Sequence, residues 1–392
     1  MTDNDISISN YFDSIEDPRH HNIHHKLIDI MTIAICAIIC GAEKWTQVQE
    51  YGRVKHDWFK QFLELPNGVP SHDTFGRIFA MIAPDQFQKA FSRWTKAICS
   101  LCRGSVVAVD GKTLRRSHDK SNDKAAIHLV SAWSLENGMV LGQVKTDEKS
   151  NEITAIPELI KTLELKGATV TIDAMGCQTK ITGIIVDKGA DYVIALKGNQ
   201  SNLHNDIELF FENLQENKTK NSPLFDQFET VDGDHGRIET RRYQTCSDID
   251  WLQGKQNWAN LKTIVRVQRQ REMYKQNSSE ISYYISSLGN NAEKLATAIR
   301  GHWGIENSLH WTLDVSSQED QCRVRKDHAP ENLAVLRHIA LNLLKKEKLF
   351  KAGIQSKRLK AAWDHDYLIK ILQNGGRSCR TFTGRGHILH SD

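Results

Sequence analysis

Asp110 lies inside the apolar run VVAVDG, Asp173 closes the run TVTID, and Glu306 sits between Trp303 and Trp311 in the stretch HWGIENSLHW. A strand flanked by valines is expected to be buried, and an ionised carboxylate there is costly unless a partner compensates it. The helix period extends the point to Glu306. One turn to either side stand His302, Trp303, Leu309 and His310, with Leu313 beyond, so its face is expected to be apolar and aromatic rather than wet. Each acid also has a plainer reading: an Asp-Gly turn in water for Asp110, a strand-end acid capping the next helix for Asp173, and a surface position for Glu306.

Hard divalent ions such as Mg²⁺ are held by a few carboxylates and complete their shells with water and substrate phosphate. Two such ions ~3.5–4 Å apart activate an attacking hydroxyl and stabilise the leaving oxygen of an in-line phosphoryl displacement. That chemistry needs no nucleophilic side chain, and the chain offers no Ser/His/Asp or Cys/His arrangement for one. Other motifs fall away. The GKT at 111–113 would need a glycine at 106 to open a phosphate-binding loop, and Val106 stands there. The CSLC at 99–102 has no second pair at zinc-site distance, and HHNIHH after Pro18 reads as a polar surface turn.

The acids must be positioned by the elements around them. Residues 1–100 read as a helical domain. Phe75, Ile78, Phe79 and Ile82 form one apolar stripe, with Ser71 as N-cap, and Trp45, Tyr51, Trp58, Phe59 and Phe62 supply its partner surface. From 101 to 222 the period changes. The β-branched SVVAVDGKTLR precedes two strand-like runs joined by Glu136-Asn137-Gly138, a strong hairpin signal. A helix over 153–165, the strand ATVTIDA, a helix near 178–189 and the strand DYVIALKGNQ follow, giving β-β-β-α-β-α-β, a mixed α/β fold with the hairpin first. That topology puts the first strand mid-sheet beside the strand of Asp173. Residues 223–290 alternate as a mostly β, arginine-rich insertion. Helical sequence resumes over 291–348 and carries Glu306, and 349–392 form a basic tail.

The net charge of +3 is small for 392 residues, so bulk charge alone argues for no polyanionic partner. Its distribution says more: residues 321–392 hold fifteen Lys/Arg against six Asp/Glu, whereas 1–104 hold eleven against twelve. The eight scattered cysteines and the acidic, polar opening MTDNDISISNYFDS predict a cytoplasmic chain with free thiols. LIDIMTIAICAIIC at 27–40 is too short and too interrupted to span a bilayer, and reads as a buried helix.

The chain resembles bacterial insertion-sequence transposases of the DDE class with an RNase H-like core, and most closely the H-repeat-associated proteins found with Rhs elements. The motifs that carry the resemblance run through most of it: DPRHHNIHHKLIDIMTIAICAIICGAEKW, LPNGVPSHDTFGRIF, VAVDGKTLRRS, TIDAMGCQ, VIALKGNQ, HWGIENSLHWTLDV and EDQCRVR. It implies that Asp110, Asp173 and Glu306 are the catalytic triad holding Mg²⁺ (or Mn²⁺), two ions in all. The partner would be double-stranded DNA, as inverted-repeat ends and as target, with no membrane and with self-association as a dimer on DNA. The helical N-terminal region would recognise element ends, and the arginine-rich insertion and basic tail would grip phosphates. Relatives often place a Tyr, an Arg and a Lys around the Glu, where this chain has Ile299, His302 and Leu313. Contacts to DNA would then fall to Lys197, Asn199, Gln200, Arg300, His302, Trp303, His310, Arg323 and Arg325. The same resemblance leaves room for a nuclease or resolvase without strand transfer, or for a domesticated, catalytically silent DNA-binding protein.

Overall fold

The computed structural model describes residues 11–373 apart from 22, 120–123, 147–150, 217–223, 235–236 and 274–275. The first ten residues and the part of the basic tail from 374 onward therefore lie outside the described residues.

Five helices come first: α1 (Leu27–Ile39), α2 (Trp45–Val54), α3 (His56–Phe59), α4 (His72–Met81) and α5 (Pro84–Ile98). The apolar segment that cannot span a bilayer is α1, buried along almost its whole length, and no helix among the described residues is long and apolar enough to cross a membrane. Ser71 caps α4 as its position predicts, its Oγ accepting from Thr74 N at 3.2 Å. Trp45 stacks on Phe79 with ring centroids 5.0 Å apart.

The sheet begins with β1 (Val106–Thr113), β2 (His128–Ser134) and β3 (Met139–Lys145). The β2–β3 connection is a four-residue loop, 135–138, rather than a two-residue turn. Gly138 takes its left-handed position at φ 61°, and Asn137 Nδ2 donates to Ser134 Oγ at 2.9 Å. After α6 (Glu152–Thr162) come β4 (Thr169–Ile172), α7 (Thr179–Asp187), β5 (Asp191–Leu196) and α8 (Ser201–Glu216). The 223–290 segment supplies β6 (Phe225–Asp234), β7 (Arg237–Cys246), β8 (Thr263–Met273) and β9 (Gln276–Ser286).

All nine strands join one sheet, in the order β3-β2-β1-β4-β5-β9-β8-β7-β6. β1 runs antiparallel to β2 and parallel to β4, β4 runs parallel to β5, and β9 returns antiparallel along β5. The insertion is thus no satellite: it prolongs the sheet that carries the aspartates. Helices α6, α7 and α8 cover one face, burying Val107, Val109, Val170 and Ile172 among others. The other face is covered by α9 (Ala292–Ile305), α10 (Trp311–Ser317) and α11 (Ala329–Lys346). Two C-terminal helices, α12 (Ile354–Trp363) and α13 (His365–Gln373), and the five N-terminal helices complete this side.

Helix α11 ties these layers together. Asn332 Nδ2 donates to Phe79 O and Ile82 O of the N-terminal helices at 2.8 and 2.9 Å. Nearly three turns on, Asn342 accepts from Val140 N at 2.8 Å and donates to Val140 O at 2.9 Å, satisfying the outer edge of β3. N-terminal helices and sheet therefore share one continuous core.

Candidate active site

The register of two parallel strands sets the aspartates side by side. Val109 pairs with Ile172, the last pair between β1 and β4, and Asp110 and Asp173 are each the next residue. Val107, Val109, Val170 and Ile172 are buried, so the strand ends are rigidly fixed where the acids emerge. Past this point β1 runs on to Thr113 with only β2 beside it. Asp173 does cap the following turn, Oδ1 accepting from Met175 N at 3.0 Å and Gly176 N at 3.4 Å. The capping and site readings are compatible, because Oδ2 takes no hydrogen bond among the described residues.

Glu306 departs from the helix-period expectation. It is exposed, and so are Trp303 and Trp311, at 46% and 63%. The buried face of this segment is made instead by Ile305, Leu309 and Leu313. The period slips because Glu306–His310 is a π-helical turn between α9 and α10, with Trp311 N donating back to Glu306 O. One extra residue in the turn shifts the phase that a 3.6-residue reading assumes, and such turns recur at functional sites. Close seating of α9 rests on Gly304: a Cβ there would lie 2.7 Å from Leu135 Cδ1 of the β2–β3 loop.

Burial pushes the Asp110 carboxyl up to about 7, with the nearby charges of Glu152, Asp173 and Glu306 adding to the effect against a hydrogen bond from Gly111 N. The basic side chain paired with it is His310, Nδ1 to Oδ2 at 3.5 Å. Burial, helped by the cation of Lys112, takes His310 down to about 4, so the ring is neutral at pH 7. His302 is likewise lowered by burial, with the charge of Asp173 opposing, and its Nδ1 meets Thr171 Oγ1 of β4 at 3.1 Å. Both rings are turned into the protein.

Lys112, the lysine of the rejected phosphate-loop motif, is spent on acids. Its Nζ reaches Asp314 Oδ1 at 2.5 Å and the buried Glu319 Oε2 at 3.0 Å. Glu319 in turn faces Arg337 at 3.8 Å, and Arg337 faces Glu43 at 3.8 Å. Glu43 also accepts from Arg358 at 2.6 Å. A buried run of alternating charges thus leads from the strand of Asp110 to the N-terminal helices.

Two residues near Asp110 escaped the sequence reading. Glu152 opens α6 and bonds His128 Nε2 at 2.7 Å, and His128 Nδ1 meets Thr113 Oγ1 at 2.8 Å. They stand 24 positions apart and form no spacing motif. A usable signal was Gly111 beside Asp110, since a glycine inside a strand often marks close approach by another group.

The other candidate residues are dispersed. Lys197 is exposed at the end of β5, whereas Asn199 Nδ2 donates to Ala174 O at 2.7 Å and Gln200 Nε2 to Cys177 O at 2.9 Å, fixing the loop behind Asp173. Arg300 points toward Asp232 of β6, at 3.8 Å. Arg323 and Arg325 line a cavity of about 630 Å³ against the N-terminal helices, with Lys44, His72 and Arg77, and Arg325 Nε donates to Arg116 O at 3.0 Å. The arginines of the insertion are not a free basic stripe. Arg242 pairs with Glu229 at 2.5 Å, Arg271 with Glu239 at 2.9 Å, Arg241 with Asp232 and Glu239, and Arg269 with Glu280, while Arg266 is buried with Nη1 on Phe211 O.

Comparison with known proteins bears on this arrangement. Residues 9–95 match the family described as DDE_Tnp_1-associated, and residues 102–343 match the Transposase DDE domain family. The chain belongs to the Transposase DDE domain family. "H repeat-associated putative transposase YhhI" of Escherichia coli (strain K12) is 43% identical over 361 residues, covering 91% of this chain and 94% of its own. "Putative transposase YncI" of Escherichia coli O157:H7 is 42% identical over 371 residues, covering 93% and 94%. A solved chain from the cryo-EM structure of the piggyBac transposase synaptic complex with hairpin DNA aligns with TM-score 0.42 at 10% identity, over 94% of this chain and 76% of that one, a likeness too slight to argue from. The core of this DDE domain is RNase H-like, with its first five strands ordered β3-β2-β1-β4-β5 as the hairpin-first reading expects. Among the described residues, no three His, Cys, Asp or Glu side chains are already arranged to hold a metal ion together.

Proposed function

We propose that the chain is a DNA transposase that binds the inverted-repeat ends of its own element, hydrolyses a phosphodiester at each end and directs the freed 3′-OH at target DNA. The observation that carries this reading is the adjacency of Asp110 and Asp173 at the ends of two parallel strands, with Glu306 near enough for its charge to act on Asp110. Among the described residues none of the three pairs with a lysine or arginine, and burial, with its acidic neighbours adding to it, raises the Asp110 carboxyl. Hard oxygen donors with unneutralised charge fit a divalent cation.

In this reading Asp110, Asp173 and Glu306 hold two Mg²⁺ or Mn²⁺ ions, which when bound activate the attacking oxygen and stabilise the leaving one. The chain's own residues do the positioning. The β1–β4 register fixes two carboxylates, Gly304 lets α9 seat the third, and the neutral His310 orients Asp110 without cancelling its charge. Exposed Trp303 beside Glu306, with Lys197 and Arg323, would meet the nucleic acid, and Arg300 would do so at the β6 side. Residues 1–100 would read the element ends, and two copies would act together on DNA.

The test is end cleavage in vitro with Mg²⁺ on a duplex carrying the element's terminus. Full activity of Asp110→Ala would sink the assignment. Strand-transfer products favour transposition, whereas nicking alone favours a nuclease on the same fold.

A further inference from the structure

We infer that Lys112 is a positioning residue: from β1 it clamps the far end of the π turn that carries Glu306, and so sets where that acid stands relative to the strand of Asp110. The role rests on the reading of Glu306 above and adds a residue that acts through it.

Side chains alternate along a strand, so Val106, Ala108, Asp110 and Lys112 share one face of β1, while Gly111 and Thr113 turn to the other, against Glu152 and His128. The first face is the one covered by α9 and the π turn: Val106 clusters with Ala298 and Ile299, and Ala108 with Ile305 and Leu309. Two residues beyond Asp110, the Lys112 Nζ meets three groups of the segment that follows Glu306. It donates to His310 O, the last carbonyl of the π turn, at 3.4 Å, and to Asp314 Oδ1 one turn on. The third acceptor is Glu319 Oε2 at 3.0 Å, in the short turn after α10.

Neutralising a buried acid does not account for this arrangement. Glu319 already faces Arg337, and the Asp314 side chain is 34% exposed and could keep its charge in water. Nor does adhesion, since well-packed apolar side chains in place of a buried ion pair often hold a fold as firmly or better. What one ammonium aimed at three oxygens adds is direction. Upstream of Glu306, Gly304 seats α9 on Leu135; downstream, Lys112 fixes α10 to β1. The extra residue of the π turn is trapped between these two attachments. Were the downstream one released, a slip of one residue into ordinary helical spacing would turn one flank by about 100° against the other, with Glu306 at the junction.

The experiment labels the full-length protein with 5-fluorotryptophan and records its ¹⁹F spectrum in EDTA, because Trp303 and Trp311 flank the turn. Trp303→Phe and Trp311→Phe assign those two resonances. In Lys112→Met one or both should shift or broaden, while those of Trp45, Trp58 and Trp94 in the N-terminal helices hold. Mg²⁺-dependent end cleavage by the same variant should lose about ten- to a hundredfold in kcat, with KM for the DNA end unchanged. A lysine that served only stability would lower the melting temperature and leave the resonances and kcat of the folded protein as they were. Should Lys112→Met not fold, Asp314→Ala, which removes one arm of the clamp at a half-exposed position, makes the same test. Unmoved resonances, or a wild-type kcat, in the folded variant overturns the inference. Glu306→Gln is the control: wild-type cleavage there sinks the reading of Glu306, and the role of Lys112 with it, whereas lost cleavage there beside an unaffected Lys112→Met sinks the clamp alone.

Discussion

His310 Nδ1 lies 3.5 Å from Asp110 Oδ2, yet burial keeps that ring neutral at pH 7, so the paired base gives the carboxylate a contact and no countercharge. Asp110→Asn separates the two consequences. Mg²⁺-dependent end cleavage should fall by more than about a hundredfold. In EDTA the same variant should melt no lower than wild type, because the repulsion from Asp173, Glu306 and Glu152 is gone. A nicking assay and a thermal melt on one preparation check both; a marked drop in the metal-free melt would mean the carboxylate is needed by the fold.

Glu319 stands between Lys112 and Arg337, all three largely withdrawn from water. Although burial opposes it, these cations hold the Glu319 carboxyl below its usual range. Glu319→Ala takes one countercharge from each of two buried cations, leaving Lys112 to Asp314 and Arg337 to Glu43, and should destabilise the protein by about 3 kcal/mol, read as a shift in urea midpoint. An unchanged midpoint would mean that water already reaches the network.

Gly111→Ala places a methyl carbon on Glu152 and His128. A cost of about 1–3 kcal/mol is expected. Removing the imidazole opens space, so the alanine should cost less in a His128→Ala background than in wild type. A double-mutant cycle in urea measures the difference, and strict additivity would show that the strand yields instead.

Burial, with Lys348 and Lys357 nearby, lowers Lys345 to about 8 while its Nζ sits 5.0 Å from the Trp133 ring centroid. Between about 8 and its ordinary value near 10.5 the folded state binds fewer protons than the unfolded one, so this group favours folding more as pH rises through that window. Below pH 8 the full cost of a buried cation remains. Lys345→Met should therefore raise Tm at pH 7, and the advantage should shrink toward pH 10.5. Equal gains at both pH values would locate the effect in packing.

Affinity for duplex ends should fall steeply with salt, the slope on logarithmic axes counting the phosphates neutralised. Arg300→Ala should lower that slope by about one if the exposed guanidinium grips a phosphate, and leave it unchanged if the residue serves only Asp232. Fluorescence anisotropy between low and moderate salt distinguishes the two.

Much of this was legible in the chain. The β-branched run around Asp110, the Asn137-Gly138 turn and the acid ending TVTID led to a hairpin-first sheet with the aspartates adjacent, because local periodicity and the handed topology of α/β folds determine that much. What periodicity cannot report is pairing between distant segments. The arginines of 223–290 read as a phosphate grip until the register of β6 to β9 set acids opposite them. A 3.6-residue count puts Glu306 on a buried face because it cannot see a π turn. Glu152 and His128 were missed because their meeting depends on α6 folding back over β1.

The continuity of the nine-stranded sheet has a mechanical consequence. From β1 to β6 is six strand spacings, so the far edge stands about 29 Å from the aspartates, roughly the rise of eight or nine base pairs. Ordinary strand twist turns that edge by about 120–150° on the way. The insertion is thus a stiff crank built out of the catalytic sheet: its hydrogen-bonded ladder fixes both how far its tip reaches and the angle at which it meets anything held at the acids.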